Sequence, residues 1–250
     1  MKEIKTQSKV MILKSWLEKN LFFRLFKLII NPKNLYLKMR DIKQIKNKNL
    51  KINWSKRVDE FGKYSVIDAY QTPKAEFKYV TNFQKKILLG NLKKFTSGKE
   101  KKILDFGCGT GRFSKDLSKL NKNASVIAVD KERKLIKLAK PSNKIKYFHL
   151  KKLSQINYKF DIIFIANVLG GIDIKEVKKI SNFVNLKLKK DGILLLNENV
   201  NNNYDGEKNF SYWMARSENF YLKLFKNLSL RKVDEYKYLQ NVTSVFIGKK

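Results

Sequence analysis

Residues 103–114 read ILDFGCGTGRFS: a short apolar run, then Gly107, Gly109 and Gly111 at alternate positions, then the start of a helical pattern. Glycine in such a stretch lets the chain turn through conformations that other residues resist, and lets a ligand approach the main chain where a Cβ would stand. The helix that follows offers unpaired N–H groups at its first turn, so the passage predicts a site for something small and polar. Two nucleotide-binding loops are excluded by spacing. The dinucleotide fingerprint G-x-G-x-x-G would need glycine at 112, where Arg112 stands, and a P-loop would need Gly-Lys-Ser/Thr, which occurs nowhere in the chain.

The text after this loop alternates between two periods. Strands are predicted at 102–108, 124–130, 144–150, 160–167 and 192–200, separated by helices at 112–120, 131–140 and 174–190, the last ended by Asp191 and Gly192. Interleaving of this kind means parallel strands joined by crossover helices. An aromatic helix at 209–227 and strands at 230–240 and 243–250 follow. Upstream, a helix is expected to open near Thr72 and Pro73 and close at Gly90, and residues 31–60 read as a short helix followed by a linker. The chain thus divides into a basic helical extension, 1–100, and an α/β domain, 101–250.

Composition narrows the chemistry. One cysteine, Cys108, and one histidine, His149, leave no disulfide framework and no ligand set of plausible spacing for a metal, so none is expected. The net charge of +33 would suit a polyanionic partner, yet it is spread over the whole chain, somewhat denser at the front: +16 over residues 1–100 and +17 over 101–250, with 48 Lys against 7 Arg. A diffuse lysine excess without an RNA-binding module disfavours nucleic acid as the partner. Residues 10–30 carry Val10, Leu13, Leu17, Leu21, Leu25 and Leu28 at helical spacing, interrupted by Lys14, Glu18, Lys19, Arg24 and Lys27. That is an amphipathic helix, too charged to span a bilayer and lacking a signal-peptide pattern, which points to the cytoplasm. Its apolar stripe needs a cover, either the α/β domain beneath it as a lid or a membrane interface, contacted peripherally.

Four ordered motifs resemble one family. They are ILDFGCGTG; an acid, Asp130, ending the next strand in VIAVD; Phe160-Asp161 opening a strand that leads to Val168-Leu169; and LKKDGILLLNE. Together they resemble the class I S-adenosylmethionine-dependent methyltransferases over residues 101–250. The resemblance implies a Rossmann-like, seven-stranded mixed sheet with helices on both faces, here with the N-terminal helical extension added. It implies S-adenosyl-L-methionine as cofactor, with Asp105 supporting the glycine loop near the amino-acid end. Gly107, Cys108, Gly109 and Gly111 would pass under the sulfonium and ribose, and Asp130 would accept the ribose hydroxyls. Lys131, Leu150, Asn167 and Val168 would border the same ligand. No acid follows the third strand in HLKKLSQ, so adenine would rely on backbone near Leu150, and Gly170-Gly171 stand where many members have a histidine pair.

Glu198, at the end of the fifth strand, is the candidate catalytic residue, because groups that hold or deprotonate an acceptor collect there. Tyr212, Trp213 and Arg216 from the tail, and Arg57 and Tyr64 from the N-terminal side, are candidate substrate residues. The expected activity is methyl transfer to an O or N atom of a small-molecule, lipid or glycan-precursor acceptor. The alternatives are an RNA methyltransferase and a cofactor-binding scaffold without catalysis. An NPPY-like text is missing after the fourth strand, which disfavours base methylation of that type.

Overall fold

The computed structural model describes residues 2–3, 52–67, 72, 74–203, 213–239 and 241–250. In chain order these form β1 (Lys2–Glu3), α1 (Trp54–Phe61), α2 (Phe77–Phe95), β2 (Lys102–Phe106), α3 (Ser114–Leu117), β3 (Ser125–Asp130), α4 (Arg133–Lys137) and β4 (Ile145–His149). They continue with β5 (Phe160–Ala166), α5 (Ile174–Lys187), β6 (Leu188–Val200), α6 (Glu218–Leu224), β7 (Arg231–Tyr238) and β8 (Asn241–Lys249). The strands share one sheet in the order β1-β7-β8-β6-β5-β2-β3-β4. From β4 to β6 neighbours run parallel, while β8 is antiparallel to both β6 and β7. Strands β2 to β8 are the seven-stranded mixed sheet expected from the sequence, and the two residues of β1 extend its edge alongside β7.

Alternation along the strands explains the layers. Ile162, Phe164, Ile193 and Leu195 point to one face, where Ile87, Leu88 and Leu92 of α2 and Leu117 of α3 cover them. Ile163, Ile165, Leu194 and Leu196 point to the other, under Val177 and Val184 of α5 and Tyr221 of α6. Both faces are buried, so these strands read as continuous apolar runs. Helix α2 therefore belongs to the same core as the sheet.

Several boundaries differ from the sequence expectation. Helix α2 begins after a 3-10 turn at Lys74–Glu76 and runs past Gly90 to Phe95. Gly90 faces solvent, while Leu92 is fully buried and Asn91 donates to the Ile87 carbonyl and to Asp234, which holds the last turn in place. The helix expected to reach 190 stops at Lys187, because Leu188 is drawn into the sheet beside Phe160. The residues between Leu188 and Ile193 then bulge, with Asp191 at φ +63°. The helices at 112–120 and 131–140 shorten to Ser114–Leu117 and Arg133–Lys137. The expectations for residues 10–30, for most of 31–60 and for 204–212 lie outside the described residues.

One carboxylate fastens the far end of the sheet from the glycine loop. Asp161, at the start of β5, accepts the Lys101 and Lys102 N–H groups at 3.1 and 2.8 Å and the Lys189 ammonium at 2.7 Å. Partial burial alone would raise its pKa, but Lys189 and the two amides hold it below the ordinary carboxylate value. Removing it in Asp161→Ala should lower stability at neutral pH by about 1–3 kcal/mol. A depressed native pKa gives stabilisation that is present above the unfolded value, near 4, and lost as the pH falls through the native one. Denaturant titrations of wild type and variant should therefore converge below pH ~4, and a gap independent of pH would refute this role.

Candidate functional site

A cavity of about 390 Å3 opens at the carboxyl ends of β2, β3, β4 and β5, where open α/β sheets collect their ligands. Its floor is the turn after β2. Gly107 has φ +72° and Gly109 φ +57°, so both need the left-handed freedom of glycine. A Cβ on Gly107 would collide with the Val168 side chain, and one on Gly109 would stand 2.8 Å from Val66. The Gly107 and Cys108 N–H groups donate to the Val129 carbonyl at 2.8 and 3.0 Å, which docks the turn onto the end of β3.

Asp130 completes this docking. One of its oxygens accepts the Gly109 N–H at 2.8 Å and the other the Glu132 N–H at 2.8 Å. Burial raises its pKa while these two amides and Lys131 pull it down. A carboxylate has about four acceptor positions, so two remain for a ligand. His149 ties the neighbouring loops together: Nε2 meets the Lys131 carbonyl at 3.0 Å and Nδ1 accepts the Lys151 N–H at 3.3 Å, a pairing that the Nε2–H tautomer satisfies. The histidine is thus a bracket beneath Lys131 and Leu150, both of which line the cavity.

Asp105 ends in the same cavity, buried, accepting the Ser114 hydroxyl at 2.6 Å. Burial pushes it up to about 7; the Ser114 hydrogen bond and the Arg112 charge act downward, and the Asp130 charge acts upward. Burial likewise pushes the Cys108 thiol far up, away from any nucleophilic role. Arg112 lines the cavity just past the glycine turn, stacks over Phe113 at 4.5 Å, and has its Nη1 buried without a hydrogen-bond partner. Burial pulls its pKa down to about 10, against the opposite pull of Tyr236, Tyr238 and Asp105.

Of the ten residues expected at the cofactor, Asp105, Gly107, Cys108, Gly109, Asp130, Lys131, Leu150, Asn167 and Val168 line this cavity. Gly111 does not; it has φ +74° and its missing Cβ makes room for the Tyr147 hydroxyl behind the turn.

The expectations for substrate and catalytic residues require correction. Glu198 is fully buried and faces away from the cavity: Oε1 accepts the Val168 and Leu169 N–H groups at 2.7 Å each, and Oε2 the Gly170 N–H at 3.2 Å. Arg216 is buried beside it, donating to the Leu169 carbonyl at 2.6 Å and the Ile172 carbonyl at 2.8 Å. The pair grips the turn after β5 from both its N–H and its C=O groups. Trp213 packs on Gly170 and Gly171, where side chains would collide with its indole, and the Met214 N–H donates to the Gly170 carbonyl at 2.7 Å. Arg57 is buried within its own segment, bonded to the Ser65 and Ile67 carbonyls at 2.9 Å each. Tyr64 packs edge-on against Phe77 at 5.2 Å. None of these five lines the cavity, and Tyr212 lies outside the described residues.

Other residues take their place. Trp54 and Val66 bring the N-terminal segment over the cavity, and an Asp59–Lys134 ion pair at 2.7 Å joins α1 to α4. Gly171, Ile172, Asp173, Glu176 and Ile180 form the wall on the α5 side. Asp173 caps α5 by accepting the Glu176 N–H at 3.0 Å, and Glu176 pairs with Lys179 at 2.8 Å. No residue of this wall was among those expected at the site. Among the described residues no group of three or more His, Cys, Asp and Glu is placed to hold a metal ion, and no helix is long and apolar enough to cross a membrane.

The family model described as "Methyltransferase domain" matches residues 97–242. This chain belongs to the class I S-adenosylmethionine-dependent methyltransferases. A curated relative from Saccharolobus solfataricus, named "Probable cobalt-precorrin-6B C(15)-methyltransferase (decarboxylating)", is 38% identical over 126 residues, 44% of this chain and 61% of that protein. The chain thus matches less than two thirds of that relative's length. Magnesium protoporphyrin IX methyltransferase from Synechocystis PCC 6803, solved with S-adenosylhomocysteine, shares the fold at TM-score 0.59 and 16% identity, covering 83% of this chain and 99% of the other. A methyltransferase from Archaeoglobus fulgidus does so at TM-score 0.55 and 14% identity, covering 70% and 97%.

The two most buried acids give this methyltransferase an unusual pH response. Asp105 and Glu198 are both pushed up to about 7, in each case chiefly by burial, with the Leu169, Val168 and Gly170 amides and Arg216 opposing it at Glu198. The unfolded chain releases these protons near pH 4 and the native chain near 7, so between those values the native state binds more protons and stability falls as the pH rises. Thermal melting without ligand should therefore drop from pH 5 to pH 7.5, and Asp105→Asn, which cannot ionise, should flatten its share of that slope. Identical slopes in variant and wild type would refute it.

Proposed function

We propose that this methyltransferase holds S-adenosylmethionine with its ribose on Asp130 and acts on a small-molecule acceptor whose reacting atom is already electron-rich. The observation that carries the first half is Asp130: a carboxylate fixed by two amides, at the rim of a cavity floored by glycines, with acceptor capacity to spare for a diol. The glycine turn lines the same cavity, and its missing Cβ atoms let Val168 and Val66 close against it. When bound, the cofactor supplies a methyl group on a sulfonium that leaves as a neutral thioether. What the protein adds is orientation and exclusion of water. The Gly107–Gly109 turn, Val168, Trp54 and Val66 all line the cavity that would confine the ligand.

The second half rests on the acids. Glu198 and Arg216 are occupied by the turn after β5, Asp173 by its helix and Glu176 by Lys179; His149 is held by Lys131 and Lys151. Among the described residues lining the cavity, no histidine or tyrosine stands ready as a general base. An acceptor that arrives as a carboxylate, phenolate or nucleophilic carbon needs none. A carbon acceptor is also in keeping with the name of the Saccharolobus relative.

Asp130→Ala should weaken S-adenosylhomocysteine binding by about 1.5–3 kcal/mol in calorimetry, through loss of charged hydrogen bonds. Unchanged affinity would sink the cofactor assignment. Incubating the protein with labelled S-adenosylmethionine and cell extract tests the acceptor: label in a small-molecule fraction supports the reading, and label confined to RNA overturns it.

A further inference from the structure

We propose that Arg112 receives the α-carboxylate of the cofactor's amino-acid tail, an assignment that rests on the cofactor reading above and specifies which end of the ligand lies beside β2. Among the described residues nothing pairs this guanidinium by hydrogen bond or salt bridge. Its Nη1 is buried and unpartnered, and its one direct contact of note is the face of Phe113 at 4.5 Å. A buried guanidinium N–H left without an acceptor is costly, and the planar donors of Arg112 match a carboxylate two at a time.

Its position selects the anion. Arg112 follows the glycine turn on the β2 side, close enough to Asp105 for their charges to interact, whereas Lys131, the other cation lining the cavity, follows Asp130 at the end of β3. With the ribose on Asp130, the tail lies toward Asp105 and Arg112. There an ammonium and a carboxylate meet an acid and a base respectively, so the pair reads a zwitterion. Arg216, Arg57 and Lys134 are excluded from this part, since each is spent on carbonyls or on Asp59.

Calorimetry with four nucleosides in two pairs tests this without knowledge of the acceptor: S-adenosylhomocysteine, which has the tail, against 5′-methylthioadenosine, which lacks it; and S-adenosylmethionine against decarboxylated S-adenosylmethionine, which isolates the carboxylate. Wild type should favour the carboxylated member of each pair. Arg112→Met should weaken S-adenosylhomocysteine by about 10- to 150-fold and leave 5′-methylthioadenosine within about twofold, so that the preference collapses. Arg112→Lys, which keeps a charge without the fork, should fall between, and serves as the test if the methionine variant does not fold. Unchanged S-adenosylhomocysteine affinity, or equal losses for both nucleosides, would overturn the assignment. A wild type that binds neither nucleoside would defeat the cofactor reading itself.

Discussion

The carboxylate of Asp130 is the joint on which the cavity depends. It takes one N–H from the turn after β2 and one from the turn after β3, while Val129 beside it takes two more from Gly107 and Cys108. Without these acceptors four backbone donors at the strand ends would be left to water, and the glycine turn would be tied to β3 only through the strand pairing that precedes it. The positive φ angles at Gly107 and Gly109 are the geometric condition for that docking, because only a turn of this hand aims the amide of residue 109 back at the carboxylate.

The opposite wall is hung in the same way from a different acid. Glu198 collects three N–H groups of the turn after β5, and Arg216 collects two of its carbonyls, so a single 3-10 turn, Leu169–Gly171, and its flanks are held through both N–H and C=O groups by side chains that do not line the cavity. Asn167, at φ +55°, begins this turn, and its N–H donates to the Asn197 carbonyl at 2.8 Å. Two strand-end acids therefore do related work, but one lines the cavity and the other is sealed behind it. The distinction decides which can touch a ligand.

That distinction also marks how far the sequence was legible. The strand–glycine–helix passage and Asp130 follow from local rules, since each declares itself within a few residues, and the alternation of periods yields the sheet. Glu198, Arg216 and Arg57 could not be placed that way. A charged residue reads the same whether it meets solvent, substrate or buried backbone groups, and the partners that settle it lie 8 to 47 residues away. Leu188 was misread for a similar reason, because its pairing with Phe160 competes with a helical pattern that continues through it. Val66 over Gly109 carried no local signal at all.

Two acids shape the electrostatics of the cavity in a chain whose net charge is +33. The surface excess is solvated and screened over about 10 Å at ordinary ionic strength, whereas Asp105 and Asp130 sit in a cavity where burial raises both. Their charges repel each other there, and the Asp130 charge is among the causes that raise Asp105. A ligand carrying a sulfonium and an ammonium relieves that repulsion, while a neutral thioether product relieves less of it. On the cofactor reading proposed above, these two acids would stabilise the charged reactant more than the neutral thioether.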